Sequence, residues 1–270
     1  MPRILYGTAW KEERTSALVY QALTTGFRGI DTANQRKHYH EVGVGEGLGR
    51  FLTDSEITRD DVFIQTKFTY RSGQDHRLPY DPNAPIAEQV VQSFEKSLLH
   101  LGVDRIDSLV LHGPWAPEKL SVQDQEAWGA MEGLVREDKV RMLGISNCNL
   151  GQLESLWAFA KVKPLAVQNR CFSNQGWDIR VRTFCALHGL AYQGFSLLTA
   201  NPEAVDHRLV RQIATRESCT PAQVILKFAL AIGITVLTGT TSGEHMKNDL
   251  DLARVELRPP ELEALRGLFI

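Results

Sequence analysis

The sequence predicts a single α/β domain over residues 1–270, folded as a (β/α)8 TIM barrel. Short runs rich in β-branched residues alternate with longer helical stretches along the whole chain. Such alternation is typical of βαβ units and of a parallel sheet. The chain has 270 residues, which is close to the length of about 250 residues that is usual for one such barrel. No linker and no abrupt change of composition indicates a second domain.

Eight runs have the length and apolar character of buried barrel strands. In chain order, the predicted strands are Ile4–Gly7, Gly29–Asp31, Val62–Thr66, Ser108–His112, Val140–Ile145, Leu165–Gln168, Leu190–Gly194 and Thr235–Leu237. Short apolar runs of this kind are expected where a parallel sheet is covered on both faces.

Helical stretches separate the predicted strands. They are Thr15–Thr24, Val42–Leu52, Ile86–Leu99, Gln123–Glu137, Leu150–Phe159, Ile179–His188 and Pro221–Ala231. Thr220 followed by Pro221 has the pattern of an N-cap with proline at the first helical position. Gly26, Gly189 and Gly233 fall where helix C-caps are expected.

Residues 68–85 form the one long insertion between predicted elements. Loops of this length inside a compact domain are usually functional or disordered. This loop follows the third strand, so it must emerge at the carboxyl ends of the strands, and we expect it to help form a substrate pocket. A solvated surface loop is the alternative. The segment after residue 260 is short, which predicts a pocket that is open or closed by residues 68–85.

Composition excludes several classes of function. The net charge is -2 and the pI is about 6.5, which argues against a nucleic-acid surface or a polybasic membrane surface. No apolar run approaches the roughly 20 residues of a membrane span, and the first residues form too short an apolar run for a signal peptide. Four cysteines lack metal-ligand or CxxC spacing, so reduced thiols, no metal and a cytoplasmic location are expected.

Four polar residues stand at or near the ends of strand-like runs. Asp31, Lys67 and His112 end or directly follow such runs, and Tyr39 lies in the loop after Asp31. The carboxyl ends of the strands are where a (β/α)8 barrel carries its chemistry. Together these groups can make a general acid. A lysine ammonium lowers the pKa of a tyrosine from about 10, a carboxylate holds the lysine, and a histidine orients the substrate oxygen.

The same residues lie in a series of stretches that resembles the aldo-keto reductase family from end to end. The matching stretches are Gly7-Thr8-Ala9-Trp10, Gly29-Ile30-Asp31-Thr32-Ala33, Tyr39 with Glu41-Val42-Gly43, Thr66-Lys67, Ile106-Asp107-Ser108-Leu109-Val110-Leu111-His112, Gly144-Ile145-Ser146-Asn147 and Val167-Gln168-Asn169. The resemblance implies an NAD(P)H-dependent reductase that converts an aldehyde or ketone to an alcohol. Tyr39 would be the general acid, assisted by Lys67, Asp31 and His112.

One departure from the family concerns Tyr39. The spacer between Asp31 and Tyr39 is a few residues longer than the family pattern. The longer spacer contains His38, and His40 directly follows the tyrosine. Both histidines are alternative proton donors. The usual continuation, Glu41-Val42-Gly43, follows and favours Tyr39.

The resemblance also implies a site for the nicotinamide end of a cofactor. Ser146, Asn147 and Gln168 match residues that hold the carboxamide in the family, and amide and hydroxyl groups supply the donors and acceptors it needs. Phe195 stands where the family usually has a stacking tyrosine, with Ser196 and Leu198 after it. Phenylalanine stacks as well as tyrosine.

A turn rich in hydroxyl groups and glycine follows the eighth strand and opens a helix, which is typical of a phosphate site. The candidate residues are Gly239, Thr240, Thr241, His245 and Asn248. NADPH-preferring relatives have basic residues where Gly239 and His245 stand, and Lys247 is the nearest fixed cation. We expect NADPH as the cofactor, with NADH possible.

Four aromatic residues are candidates for the wall of the substrate pocket: Trp10, Phe68, Tyr70 and Trp115. Aromatic walls suit an apolar or ring-bearing small-molecule carbonyl substrate. The expected assembly is a monomer or a weak homo-oligomer, with no nucleic-acid or membrane partner. Two alternatives use the same fold: a nucleotide-binding module without turnover, and a non-redox tailoring enzyme such as an isomerase or dehydratase.

Overall fold

The computed structural model describes residues 1–268. Eight parallel strands form a closed barrel in sequence order, and the last strand pairs with the first. The strands are β1 Ile4–Gly7, β2 Gly29–Asp31, β3 Phe63–Phe68, β4 Ile106–Leu111, β5 Val140–Ser146, β6 Ala166–Arg170, β7 Ala191–Phe195 and β8 Ile234–Thr238. The predicted (β/α)8 fold is confirmed, and each strand end lies within two residues of its predicted position.

Helices cover the outside of the barrel. They are α1 Thr15–Thr25, α2 Glu41–Asp54, α3 Ile86–Leu101, α4 Val122–Arg136, α5 Leu150–Phe159, α6 Ile179–His188, α7 Pro202–Val205, α8 Arg208–Glu217, α9 Pro221–Ala231, α10 Gly243–Leu250 and α11 Pro259–Gly267. The seven predicted helices are all present. Helices α7, α8 and α11 were not predicted, because α7 has four residues and α8 buries only Val210, Ile213 and Ala214.

Two glycines of α2 allow this helix to lie very close to its neighbours. A Cβ added at Gly45 would lie 2.1 Å from the carbonyl oxygen of His100 in α3, and one added at Gly47 would lie 2.5 Å from that of Ser16 in α1. Distances this short exclude any side chain. The close packing fixes the start of α2, which begins two residues after Tyr39.

The barrel interior contains a polar layer where such barrels usually carry branched apolar side chains. Gln65, Ser108 and Gln193 are fully buried there. The Ser108 hydroxyl donates to Gln65 Oε1 at 2.9 Å, and the amides of Gln65 and Gln193 exchange hydrogen bonds of 2.7 and 2.9 Å. Because each buried polar group has a partner, the layer avoids the cost of an unsatisfied hydrogen bond.

Two expectations from composition concern membrane spans and cysteines. Within residues 1–268, no helix combines the length and apolarity needed to cross a membrane. All four cysteines fall in this range, and each has a free thiol.

Candidate active site

A cleft of about 950 Å³ opens at the carboxyl ends of the strands. Most of the predicted site residues line it together: Trp10, Asp31, Tyr39, Tyr70, His112, Ser146, Asn147, Gln168, Phe195, Ser196, Leu198, Gly239, Thr240, His245 and Asn248. Four other predicted residues, Lys67, Phe68, Trp115 and Thr241, are not on its wall. The volume is in the range of small-molecule and cofactor sites.

Lys67 and Asp31 form a buried ion pair under the floor of the cleft. The side chains of Lys67 and Asp31 are 0% and 2% exposed. The Lys67 ammonium donates to Asp31 Oδ1 at 2.8 Å, to Asp31 Oδ2 at 2.7 Å and to the Thr32 carbonyl oxygen at 2.7 Å. Asp31 Oδ1 also accepts from Gln65 Nε2 at 2.7 Å and Gln168 Nε2 at 2.9 Å. Both ions are therefore fixed by several hydrogen bonds, which a buried pair requires.

Tyr39 lies beside this pair and beside His112. The Lys67 ammonium is 5.1 Å from the centre of the Tyr39 ring, and the Tyr39 and His112 rings are 5.9 Å apart, edge to face. Burial, and then the negative charge of Asp31, raise the pKa of Tyr39. The direction is opposite to the lowering predicted from Lys67. Burial is the larger cause, and Asp31, which accepts two hydrogen bonds from the Lys67 ammonium, adds to it by offsetting the charge of the lysine. Tyr39 therefore remains protonated at neutral pH.

The long spacer before Tyr39 is an ordered turn. The backbone N–H of Tyr39 donates to the Gln35 carbonyl at 2.9 Å, and Gln35 Nε2 donates to the Gly73 carbonyl at 2.6 Å. His38 also lines the cleft, and its ring packs against Trp10 in a tilted arrangement with centroids 4.0 Å apart. His40 is outside the cleft, with Nδ1 3.3 Å from the Glu12 carbonyl oxygen. Of these three residues, only Tyr39 is in ring contact with His112 and close to Lys67.

His112 is held as a neutral imidazole. Burial, together with the positive charge of Lys67, lowers the pKa of His112 well below its usual value. Its Nδ1 lies 2.6 Å from the Thr69 hydroxyl. If that hydroxyl donates to Nδ1, the proton of the ring resides on Nε2, which can then donate to a substrate oxygen. Thr69 was not predicted, since its role depends on a contact across two strands.

The nicotinamide candidates form one group between β5, β6 and β7. The Ser146 hydroxyl donates to the Gln168 carbonyl at 2.7 Å, and Asn147 Nδ2 donates to the His112 carbonyl at 2.8 Å. Gln168 Nε2 points into the barrel toward Asp31 and Gln193. Within residues 1–268, the side-chain oxygens of Asn147 and Gln168 have no hydrogen-bond donor, so both are free acceptors at the cleft.

Lys11 is the cation nearest to the turn after β8. It lines the cleft, is 8% exposed, and its ammonium donates to the Gly239 carbonyl. A Cβ added at Gly239 would lie 3.6 Å from the same ammonium, so Lys11 lies beside the position that the family fills with a basic residue. Lys247 is exposed and outside the cleft. The signal in the sequence was that Lys11 directly follows the matching stretch Gly7–Trp10.

The long loop contributes to the cleft only at its start. Thr69, Tyr70, Ser72 and Gly73 line the cleft, whereas residues 74–85 lie away from it. Tyr80 is 6% exposed and donates to the Thr69 carbonyl at 2.8 Å.

The remaining substrate candidates lie behind or beside the wall. Phe68 is 0% exposed and packs edge to face on Tyr70, with ring centres 5.2 Å apart. Trp115 is 47% exposed and also packs edge to face with Tyr70, with ring centres 5.1 Å apart. Of the four aromatic candidates for the substrate wall, Trp10 and Tyr70 therefore reach the cleft. Within residues 1–268, no residue after Asp249 lines it.

The sequence and the fold both match a known protein family. The sequence profile of the aldo/keto reductase family matches residues 4–201. The chain belongs to the aldo/keto reductase family. Membership of this reductase family, together with the reductases among its relatives, confirms the predicted oxidoreductase class.

Individual members resemble the chain over nearly its whole length. It is 27% identical to an NAD(P)H-dependent D-xylose reductase of Aspergillus niger, over 99% of this chain and 90% of that protein. It is 28% identical to the oxidoreductase YtbE of Bacillus subtilis, over 93% of this chain and 82% of that protein. The crystal structure of an aldo/keto reductase from Brucella melitensis superposes with a TM-score of 0.84 at 25% identity, over 99% of this chain and 95% of that one.

Proposed function

We propose that this aldo/keto reductase uses NAD(P)H to reduce a small aldehyde or ketone to the alcohol, with Tyr39 as the general acid. One observation carries the proposal: the buried Lys67–Asp31 pair lies directly beside the Tyr39 ring, and His112 borders the same ring. Reduction at a carbonyl carbon leaves negative charge on the oxygen. Protonated Tyr39 can donate a proton to that oxygen, and the neutral His112 imidazole can donate a hydrogen bond.

The cleft has the groups that a nicotinamide dinucleotide needs. When bound, reduced nicotinamide supplies the hydride. The free acceptor oxygens of Asn147 and Gln168 would hold the carboxamide N–H groups, and Phe195 would contact the ring. The xylose reductase named above is NAD(P)H-dependent, and we extend that dependence to this chain.

The phosphates would lie at the turn after β8. Gly239 and Thr240 line the cleft there, and the backbone at Gly239 approaches closely, because a Cβ would lie 3.1 Å from the Gly7 carbonyl oxygen. Lys11 supplies a cation at this turn, and His245 opens the following helix α10. We propose NADPH as the preferred cofactor and NADH as an accepted one.

The substrate pocket is aromatic, which favours apolar or ring-bearing carbonyl compounds. Trp10 and Tyr70 are the aromatic residues that we assign to it. We further propose a cytoplasmic enzyme that acts as a monomer or weak homo-oligomer without nucleic-acid or membrane partners, in accord with a net charge of -2.

Titration with NADPH and NADH, followed by quenching of tryptophan fluorescence, tests the cofactor assignment. Trp10 lines the cleft and is a natural reporter. Binding of neither nucleotide at about 1 mM, the upper end of ordinary KM values, would contradict the proposal.

The variant Tyr39→Phe tests the acid. It should keep cofactor affinity and lose reduction of a simple benzaldehyde. Tyr20→Phe is the matched control, since it removes a hydroxyl that contacts Asp54 on the outer surface. Unchanged turnover in Tyr39→Phe would rule out Tyr39 as the acid.

A further inference from the structure

Arg170 is a cation on the cleft wall that the proposed reaction does not use. It is the last residue of β6, lines the cleft and is exposed. Its guanidinium lies over the Phe195 ring, 5.6 Å from the ring centre. Within residues 1–268, no hydrogen bond or ion pair engages this guanidinium, although arginines of similar exposure elsewhere, such as Arg141, pair with carboxylates.

The register of the barrel directs Arg170 toward the reacting end of the cleft. Gln168 pairs with Gln193 and Arg170 pairs with Phe195 across β6 and β7. Side chains two residues apart on a strand share a face, separated by about 6.6 Å along it. Arg170 therefore stands one step nearer the cleft mouth than Gln168, whose amide donates to Asp31 at 2.9 Å.

The other charged groups of the cleft leave Arg170 without a counter-ion. Asp31 is paired with Lys67. Asp249 accepts from the Thr238 hydroxyl at 2.6 Å, and burial raises the pKa of this carboxyl. Lys11 is at the turn after β8, whereas Arg170 is on β6, two strands away around the barrel. The cation beside Phe195 is therefore separate from the cation at the phosphate turn.

We propose that Arg170 binds an anionic group of the substrate, so that the enzyme prefers aldehydes or ketones that carry a carboxylate. A guanidinium held over an aromatic ring keeps its N–H edge available for a bidentate contact with a carboxylate. The negative group would lie on the Phe195 side of the cleft, with the carbonyl oxygen toward Tyr39 and His112. This inference rests on the proposed reductase function and specifies its substrate class.

A matched substrate pair tests the inference. 4-Formylbenzoate and its methyl ester have the same ring and aldehyde, and only the first carries a negative charge. We expect wild-type protein to have a higher kcat/KM for the acid. Arg170→Gln should lower kcat/KM for the acid by at least about tenfold, as expected for loss of a charge-assisted hydrogen bond. The value for the ester should change by less than about twofold, within the usual effect of a surface substitution.

Two further variants sharpen the comparison. Arg170→Lys keeps the charge but loses the bidentate fork, and it should lie between wild type and Arg170→Gln. Arg180→Gln is the control, because Arg180 is an exposed arginine of α6 that does not line the cleft. It should leave both substrates unaffected.

The cofactor phosphates are the other possible anion. The Kd of NADPH, measured by fluorescence, should be the same in Arg170→Gln and wild type. A loss of NADPH affinity, or an equal loss of kcat/KM for acid and ester, would overturn the substrate assignment.

Failure of the reductase function would be seen separately. Wild-type protein that reduces neither aldehyde with NADPH or NADH contradicts the proposed function. Calorimetric binding of 4-formylbenzoate to wild type and Arg170→Gln still decides the anion site in that case. Weaker binding to the variant supports the site, and equal or absent binding overturns it.

Discussion

Removing one charge of the Lys67–Asp31 pair should destabilise the protein more than removing both. Asp31 accepts from Lys67, Gln65 and Gln168, and the Lys67 side chain is 0% exposed. In Asp31→Asn, the ammonium loses its counter-ion in a site that water does not reach. Breaking a buried pair on one side costs about 3–5 kcal/mol, a large part of the usual stability of about 5–15 kcal/mol.

The double variant Asp31→Asn/Lys67→Met removes both charges and keeps both side-chain volumes close to the original. Replacing a whole buried pair is often neutral. The loss of unfolding free energy in the double variant should therefore be smaller than the summed losses of the two single variants, by about 3 kcal/mol or more. Urea unfolding of the four proteins, followed by tryptophan fluorescence, measures this coupling. All three variants should lose the reductase activity, since Tyr39 loses one or both of its charged neighbours.

An exposed pair provides the control for this cycle. Arg254 and Asp251 form an ion pair with side chains 48% and 54% exposed. The same cycle there should give a coupling below about 1 kcal/mol. Losses at Lys67 and Asp31 that simply add would refute the view that the two charges are stable only as a pair.

Three further outcomes follow from the site. Thr69→Val should lower kcat/KM by about fivefold, the equivalent of one hydrogen bond of about 1 kcal/mol, and nitrogen NMR of His112 should show that Nε2 is no longer the favoured protonation site. The pH profile of reduction should have no break near 6.5, because the pKa of His112 is well below its usual value. Activity should fall only above the usual tyrosine pKa of about 10, because the pKa of Tyr39 is raised. A break near 6.5 would contradict the first statement, and a fall that begins below pH 10 would contradict the second. Lys11→Met should raise the Kd of NADPH by about tenfold, and an unchanged Kd would remove Lys11 from the phosphate site.

The sequence was sufficient for the barrel and for the residues that end its strands. Strand positions follow from local pattern, since short apolar runs and helical stretches alternate. The carboxyl ends of parallel strands meet at one face by construction, so Asp31, Lys67 and His112 could be brought together without coordinates. Tyr39 needed the family resemblance, because its loop has no regular geometry that the sequence determines.

Contacts across the barrel could not be predicted. Lys11 reaches Gly239 across the β1–β8 seam, and Thr69 reaches His112 between β3 and β4. Phe68 was expected at the pocket, but β3 extends through this residue and directs its side chain into the core. One position along a strand reverses the face of a side chain, and local composition does not fix that register. The unpartnered state of Arg170 is likewise a property of the whole cleft.

The polar layer under the site explains how a buried ion pair can be held in a fixed position. An apolar interior would leave Asp31 with Lys67 and Gln168 as its only side-chain donors, whereas Gln65 adds a further donor from the layer below. Gln193 in turn accepts from both Gln65 and Gln168, at 2.7 and 2.8 Å. A rotation of the Gln168 amide would break two hydrogen bonds, and a rotation of the Gln65 amide would break four. Because a partly satisfied network is costlier than an apolar core, these residues restrain Asp31 to one orientation. The position of Lys67 beside Tyr39 therefore depends on side chains of β3, β6 and β7 as well as on the loop that carries Tyr39.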